Sequence, residues 1–133
     1  MGEQKKIGNT WEVRLCELLH KNGFWCHLFE HGKNGQPCDV IALKGNDISM
    51  LIDVKHCCGD RFAFSRVEPN QRTCFEYAMN ICKVQRLGFA IYFESEGKFK
   101  WLAHKKLKWI ESLGGKSVHY KDLPDFEFMI NNM

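Results

Sequence analysis

One apolar stretch that carries two charges decides how the chain is interpreted: SMLIDVK, residues 49–55. Its composition predicts a buried β-strand, yet burial disfavours both the carboxylate of Asp53 and the ammonium of Lys55. Side chains alternate along a strand, so Asp53 and Lys55 share one face and Val54 points to the other. One interpretation is a buried ion pair. Because such pairs are poor sources of stability, their presence on a strand favours a functional role.

A second acid precedes a second apolar run. Asp39 lies fourteen residues before Asp53 and opens the run Val40-Ile41-Ala42-Leu43. The segment Lys44-Gly45-Asn46-Asp47 between the two runs is a hairpin signal. A two-residue loop would place Asp39 and Asp53 on opposite faces of the sheet. A three-residue loop, or a bulge, sets them opposite each other with Cβ atoms roughly 5 Å apart. We predict the three-residue loop, although the simplest turn rule favours the shorter one.

Two facing carboxylates and a lysine suggest a particular chemistry. Carboxylate oxygens are hard ligands suited to Mg²⁺, with Mn²⁺ as an alternative. Cleavage of a phosphodiester needs an activated water and a group that stabilises the negative charge of the transition state. Lys55, beside the metal, would orient or deprotonate the water. The residues therefore predict a metal-dependent hydrolytic site.

Length and composition set the class of the protein. The chain has 133 residues, 44% of them hydrophobic, which fits one folded domain (1–133) with a core at about 8–113 and a tail at 114–133. The net charge of +3 is mild and permits a nucleic-acid partner without requiring one. No run reaches the ~20 apolar residues of a membrane helix, and the first residues lack an apolar signal region. We expect a cytoplasmic protein, in a bacterial cell or phage-infected host, with no membrane partner and no organic cofactor.

Seven cysteines are an odd number, and none forms a Cys-x-x-Cys pair. Cys16, Cys38, Cys74 and Cys82 lie within apolar patterns, so we expect reduced thiols rather than a disulfide framework. Zinc is the alternative, with ligands from His56, Cys57, Cys58, Cys26 and His27. Adjacent residues point apart, and structural zinc sites usually separate paired ligands by two or more residues, so the spacing argues against zinc.

Hydrophobic periodicity predicts the remaining elements. Helices are expected at residues 7–21, 69–83 and 104–113, and strands at 24–29, 37–43, 48–55, 87–93 and 98–103. The order α-β-β-β-α-β-β-α predicts an α/β (α+β) fold, a mixed central sheet flanked by helices. Glu12 lies at the edge of the first helix's apolar stripe, where it either looks toward the sheet or is a solvated glutamate. The tail docks either on the domain or on a partner.

Four segments in order resemble the PD-(D/E)XK nuclease superfamily, within it small Holliday junction resolvases of archaeal and RecU type, including phage-borne versions. These segments are GNTWE (8–12), NGQPCDVIAL (34–43), LIDVKHC (51–57) and SRVEPNQRT (65–73). The resemblance covers residues 8 to about 107 and implies a restriction-endonuclease-like core. Three departures stand out: Cys38 separates Pro37 from Asp39, aspartate replaces the commoner glutamate at 53, and no serine or threonine occupies the loop before Asp39. The last departure puts in doubt the contribution of His31, Lys33 and Asn34.

The resemblance implies a role for each matching residue. Asp39 and Asp53 would bind the metal with help from the Val54 carbonyl, and Glu12 would bind a second metal or a coordinated water. Lys55 would be the catalytic lysine, and Gln71 would position the lysine or the scissile phosphate. These families act as homodimers that cut opposed strands of a four-way DNA junction, so the symmetry of the protein matches that of its substrate.

DNA contacts would come from side chains that neutralise phosphates. The candidates are Lys5, Lys6, Arg14, Lys33, Arg61, Arg66 and Arg72; for each, a solvated surface charge is the alternative. Lys105, Lys106 and Lys108 form a second basic run, interpreted as a solvated helix face. The hypotheses are thus a junction-resolving endonuclease, another nuclease of the superfamily acting on duplex or flapped DNA, and a non-catalytic binding module that keeps the fold.

Overall fold

A computed structural model describes the backbone of residues 2–29, 38–45 and 47–133, and side chains from residue 11 onward within those ranges. Its helices are α1 (Gly2–Lys21), α2 (Pro69–Asn80), α3 (His104–Ser112) and α4 (Phe126–Asn131). Its strands are β1 (Trp25–Leu28), β2 (Val40–Lys44), β3 (Ile48–Cys57), β4 (Arg61–Ala63), β5 (Arg86–Phe93), β6 (Lys98–Ala103) and β7 (Ser117–His119). Short 3₁₀ turns follow β4 and β7 at Phe64–Arg66 and Tyr120–Asp122.

The strand that carries Asp53 lies at the centre of a five-stranded sheet with the order β1-β2-β3-β5-β6. β3 pairs antiparallel with β2 and parallel with β5, while β1 and β6 pair antiparallel at the two edges. Because parallel neighbours need a long crossover, the chain passes through β4 and α2 between β3 and β5. The sheet is mixed and flanked by helices, which confirms the predicted fold class.

Each face of the sheet is covered by its own set of helices and its own core. On one face, Met50 and Ile52 of β3 pack with Leu15 and Leu19 of α1 and with Phe126 of α4. On the other face the core joins β5 to α2, α3 and the β4–β7 pair; its fully buried members include Phe62, Phe75, Phe89 and Leu107. Asp53, an odd-numbered residue of β3, faces this second core. The site is therefore on the side of the sheet that α2 covers.

The hairpin between β2 and β3 has the register that the site requires. Val40 pairs with Ile52 and Lys44 with Ile48, which leaves a three-residue loop at 45–47 and sets Asp39 opposite Asp53. Asp47 ends this loop with a φ of 60°. A left-handed residue at that point is characteristic of three-residue hairpins, and aspartate tolerates it better than most residues. The predicted odd loop is confirmed.

Some elements have different bounds from those predicted, and the tail contains elements that were not predicted. α1 begins at Gly2 rather than at residue 7, and α2 ends at Asn80, so Cys82 is exposed instead of lying on its apolar face. The tail adds β7 and α4. Phe126 and Ile130 are fully buried, and the Trp101 amide donates to the Pro124 carbonyl at 3.0 Å. The tail therefore packs on the sheet, which answers the question left open by the sequence.

None of the described helices is both long and apolar enough to cross a membrane.

Candidate active site

The β2–β3 register brings the two aspartates together. The backbone of Asp39 is fixed on both sides, since its amide donates to the Ile52 carbonyl and its carbonyl accepts from the Phe29 amide, both at 3.0 Å. Its side-chain Oδ2 accepts from the Val54 amide at 2.7 Å. Asp39 is 7% exposed and Asp53 only 1%. Two buried carboxyl groups thus lie side by side on adjacent strands.

Asp53 is held by a different partner at each oxygen. Its Oδ1 accepts from Gln71 Nε2 at 2.8 Å, and its Oδ2 lies 3.1 Å from Lys55 Nζ. The predicted proximity of Asp53 and Lys55 is therefore present, with Lys55 itself only 14% exposed. The structure brings three of the sequence-predicted residues, Asp53, Lys55 and Gln71, into direct contact.

The start of α2 orients the amide of Gln71. Pro69 occupies the first turn, where its missing N–H costs nothing. The backbone amide of Glu68 donates to Gln71 Oε1 at 3.1 Å. A backbone N–H can only donate, so Oε1 must face it and Nε2 must face Asp53. The contact that the structure shows for Gln71 is thus to a carboxylate, whereas the resemblance implied one to the lysine or to a phosphate.

The environment of Asp53 favours its protonated form. Burial, which is the largest cause, and then the neighbouring Asp39 carboxyl group together raise its pKa to about 8. Lys55 opposes this shift but does not cancel it. The same burial raises the pKa of the Cys38 thiol to about 12, so this neighbour stays neutral. If both aspartates were ionised, they would outnumber the one ammonium beside them and leave an excess of negative charge in a buried place.

The donor atoms present fit a hard divalent cation. Among the described residues, no donor meets hydrogen-bond geometry at Asp53 Oδ2, although this atom is buried. The carbonyl of a strand residue points to the same neighbouring strand as its amide, so the Val54 carbonyl is directed toward the Asp39 side. Carboxylate and carbonyl oxygens are the ligands that Mg²⁺ and Mn²⁺ prefer. A cation bound there would offset the excess charge.

Glu12 is buried, which excludes the interpretation of this residue as a solvated glutamate. It is 6% exposed on α1, so a solvated glutamate is wrong. Its neighbour Trp11 stacks against both His56 (4.6 Å between ring centroids) and Tyr92 (4.2 Å), which fixes this turn of α1 against the ends of β3 and β5. Burial and then the neighbouring Cys26 raise the pKa of the Cys16 thiol, one turn further along the helix, and the charge of Glu12 adds to this rise.

The candidate DNA-binding residues have varied surroundings. The Arg14 guanidinium lies over the Trp11 ring at 4.7 Å and that of Arg66 over Phe62 at 5.3 Å, while Arg61 donates to Ser117 Oγ at 2.9 Å. Arg72 forms a two-fold contact with Glu111, at 2.7 and 2.8 Å. The side chains of Lys5 and Lys6 and all of Lys33 lie outside the described residues. The DNA-binding role of this set remains a prediction.

Sequence reasoning considered His56 and Cys58 as metal ligands but missed their third neighbour, Glu94. His56 Nε2 lies 2.8 Å from Glu94 Oε1, and Cys58 is close to both. Glu94 was not singled out because it is distant in sequence. One signal was available: polar residues that follow parallel strands meet at the carboxyl edge of a sheet.

The comparisons with known proteins bear on the fold. The sequence matches no model of a known protein family and no curated protein. Among solved structures, Hjc from Archaeoglobus fulgidus, described as a Holliday junction resolvase from an archaeal hyperthermophile, superimposes with a TM-score of 0.69 at 14% identity. The match covers 92% of this chain and 98% of that one. The chain therefore has the fold of an archaeal junction resolvase, as the four sequence segments predicted.

Proposed function

We propose that this protein is a metal-dependent DNA endonuclease that cuts four-way junctions by phosphodiester hydrolysis. One observation carries the proposal: Asp39 and Asp53 face each other, with Lys55 Nζ 3.1 Å from Asp53, on the fold of a Holliday junction resolvase. Fold alone does not define an activity. Here the fold is accompanied by a buried group of two aspartates and one lysine, with Gln71 Nε2 2.8 Å from Asp53 Oδ1.

In the proposed reaction Asp39, Asp53 and the Val54 carbonyl would hold a Mg²⁺ or Mn²⁺ ion, and Glu12 would hold a coordinated water or a second ion. When bound, the ion supplies charge stabilisation at the phosphate and lowers the pKa of a coordinated water. Gln71 fixes the Asp53 carboxylate through Oδ1, which leaves Oδ2 directed toward Lys55. The ammonium of Lys55 orients the attacking water and stabilises the negative charge that develops on the phosphate oxygens.

A homodimer is part of the proposal. A four-way junction presents two equivalent strands to be cut, and two copies related by a two-fold axis would present one site to each. Mass measurement by light scattering, with and without junction DNA, tests this. A complex containing one copy per junction would contradict it.

The substrate class is tested by comparing a four-way junction, a flap and a linear duplex at equal concentration. Each is incubated with Mg²⁺, with Mn²⁺ or with EDTA. We expect paired, symmetrical nicks in the junction, slow cutting of the other two, and no cutting in EDTA. Equal rates on all three substrates would instead support a general nuclease of the same fold, and no cleavage of any substrate would support a non-catalytic binding module.

A further inference from the structure

A second group of potential ligands lies where β3 and β5 end. His56 is the penultimate residue of β3, Cys58 follows that strand, and Glu94 follows β5. The two strands are parallel and end in register at Cys57 and Phe93, so these side chains meet at one edge. The His56 ring nitrogen, the Cys58 sulfur and a Glu94 carboxylate oxygen all lie within 4.8 Å of one another.

The surrounding contacts hold this geometry in place. The His56 ring is stacked on Trp11 with an angle of 12° between the planes, and the Glu94 amide donates to the Cys57 carbonyl at 3.0 Å. Cys57 Sγ donates to the carbonyls of Gly59 (3.4 Å) and Arg61 (3.1 Å) and is buried. Cys58 is consequently the thiol that faces solvent. The backbone turn therefore selects Cys58 rather than Cys57 as a partner for His56.

The three groups together suit a cation. The Glu94 carboxylate and the Cys58 thiol lie within 4.8 Å of each other, and His56 Nε2 lies 2.8 Å from Glu94 Oε1. A divalent cation between these groups would attract both the thiolate and the carboxylate, and it would take the place of the hydrogen between His56 and Glu94.

We propose that His56, Cys58 and Glu94 form a binding site for a divalent transition metal of the zinc type. Imidazole, thiolate and carboxylate together suit Zn²⁺, whereas the oxygen-only set at Asp39 and Asp53 suits Mg²⁺. Tetrahedral coordination would bring the ligand atoms to roughly 3.3–3.8 Å from one another. Small rotations of Cys58 and Glu94, both at the surface, achieve this. Three protein ligands leave a fourth position for water.

His56 and Cys58 are closer in sequence than the paired ligands of most structural zinc sites, but the structure places their ligand atoms together with that of Glu94. His56 and Cys58 are two apart, so they return to the same side of the chain, and the third ligand comes from another strand. The proposal does not depend on the nuclease activity, because it involves none of the residues assigned to cleavage.

Co²⁺ is the probe for this site, since a thiolate bound to Co²⁺ gives a sulfur-to-metal charge-transfer band and a tetrahedral visible spectrum. The full-length protein is kept reduced and titrated with Co²⁺, then with Zn²⁺ as competitor. We expect the absorbance of this band to saturate at one Co²⁺ per protein and to disappear when Zn²⁺ is added. Cys58→Ser should remove the charge-transfer band, and Glu94→Gln or His56→Gln should weaken Co²⁺ binding by about 10-fold or more.

The matched control is Cys82→Ser, which removes an exposed thiol elsewhere and should leave the band unchanged. Asp53→Asn should also retain it, which separates this site from the carboxylate pair. Absence of any band in the wild-type protein would overturn the proposal. So would a band that survives in Cys58→Ser or disappears in Cys82→Ser.

Discussion

Two neighbouring residues of α2, Gln71 and Arg72, contact charged groups in two different environments, one buried and one partly exposed. Gln71 donates to Asp53 in the buried acidic site, whereas Arg72 pairs with Glu111 of α3, with both side chains 32% exposed. A second pair between the same helices joins Glu76 to Lys108. Thus one helix contributes both to the acidic site (Asp39, Asp53, Lys55 and Gln71) and to the helix–helix ion pairs (Arg72–Glu111 and Glu76–Lys108).

The carboxyl groups of these two regions shift in opposite directions. The hydrogen bond from Arg72 lowers the pKa of Glu111, and that from Lys108 lowers the pKa of Glu76. Burial raises the pKa of Asp53 to about 8 despite the adjacent lysine. The helix–helix pairs therefore stabilise the fold when ionised, while ionisation of Asp53 opposes folding. A carboxylate that opposes folding when ionised is the physical basis for proposing a catalytic role for Asp53.

The largest expected effect concerns cleavage at the acidic site. Asp53→Asn keeps the shape and the hydrogen bond from Gln71 but removes the charge that would hold a cation. We expect the rate of junction cleavage to fall by ~1,000-fold or more, about 4 kcal/mol of transition-state stabilisation. Single-turnover cleavage in Mg²⁺ measures it, and a fall of less than tenfold would place the metal elsewhere.

The next effect is on the pH dependence of stability in EDTA. Asp53 in the unfolded chain titrates near about 4, and in the fold near about 8. Between these values the native state binds the additional proton, so the free energy of unfolding decreases as pH rises and levels off above the folded pKa. Asp53→Asn removes this loss. As pH rises from about 5 to about 9, the free energy of unfolding of Asp53→Asn should therefore increase relative to that of wild type by roughly 2 kcal/mol or more.

Urea unfolding across that range measures the difference. Wild-type stability that falls no faster with pH than that of Asp53→Asn would contradict the pKa assigned to Asp53.

A smaller effect is expected where α2 meets the site. Gln71→Leu removes the amide that holds Asp53 Oδ1 and leaves the carboxylate without this donor. We expect cleavage to slow by ~10-fold, with a larger part of the loss recovered at high Mg²⁺ than for Asp53→Asn. The Mg²⁺ dependence of the cleavage rate separates the two variants; an identical metal requirement to wild type would show that Gln71 does not position Asp53.

The smallest effect belongs to the helix–helix pairs. Glu111→Ala should lower the free energy of unfolding by ~0.5–1 kcal/mol at neutral pH and leave cleavage unchanged. Since its pKa is lowered in the fold, this contribution is present above the ordinary glutamate pKa and disappears as pH falls through the folded value. Urea unfolding at acidic and neutral pH measures it. A loss of cleavage activity comparable to that of Gln71→Leu would contradict this prediction and would show that the helix–helix pairs are required for cleavage.

The central hairpin was predictable because its pattern and its chemistry agree. The apolar runs around Asp39 and Asp53 define two strands, and a shared site for both acids demands the three-residue loop that the structure has. The contact of Gln71 with Asp53 was less accessible, because it depends on how the Glu68 amide orients the side chain. The order of the residues in the sequence indicates that Gln71 lies near the site, but it does not show which way the side-chain amide of Gln71 points.

Short elements and distant pairs were the parts that sequence could not supply. β7 has three residues and is stabilised by pairing with β4, about fifty residues away, so neither strand has a pattern of its own. α4 spans six residues, too few for helical periodicity, and is fixed by burial of Phe126 and Ile130 against the sheet. Glu94 joined His56 and Cys58 only through parallel pairing of β3 with β5. In each case tertiary contact, rather than local preference, decides the structure.

The most direct test of the account compares two lysine variants on a four-way junction in Mg²⁺. Lys55→Ala removes the ammonium next to Asp53, and Lys108→Ala removes an ammonium of the helix–helix pairs. We predict that wild type and Lys108→Ala cut opposed strands at equal rates. Lys55→Ala should bind the junction and cut it at least ~100-fold more slowly. Cleavage by Lys55→Ala at the rate of Lys108→Ala would contradict the assignment of this site.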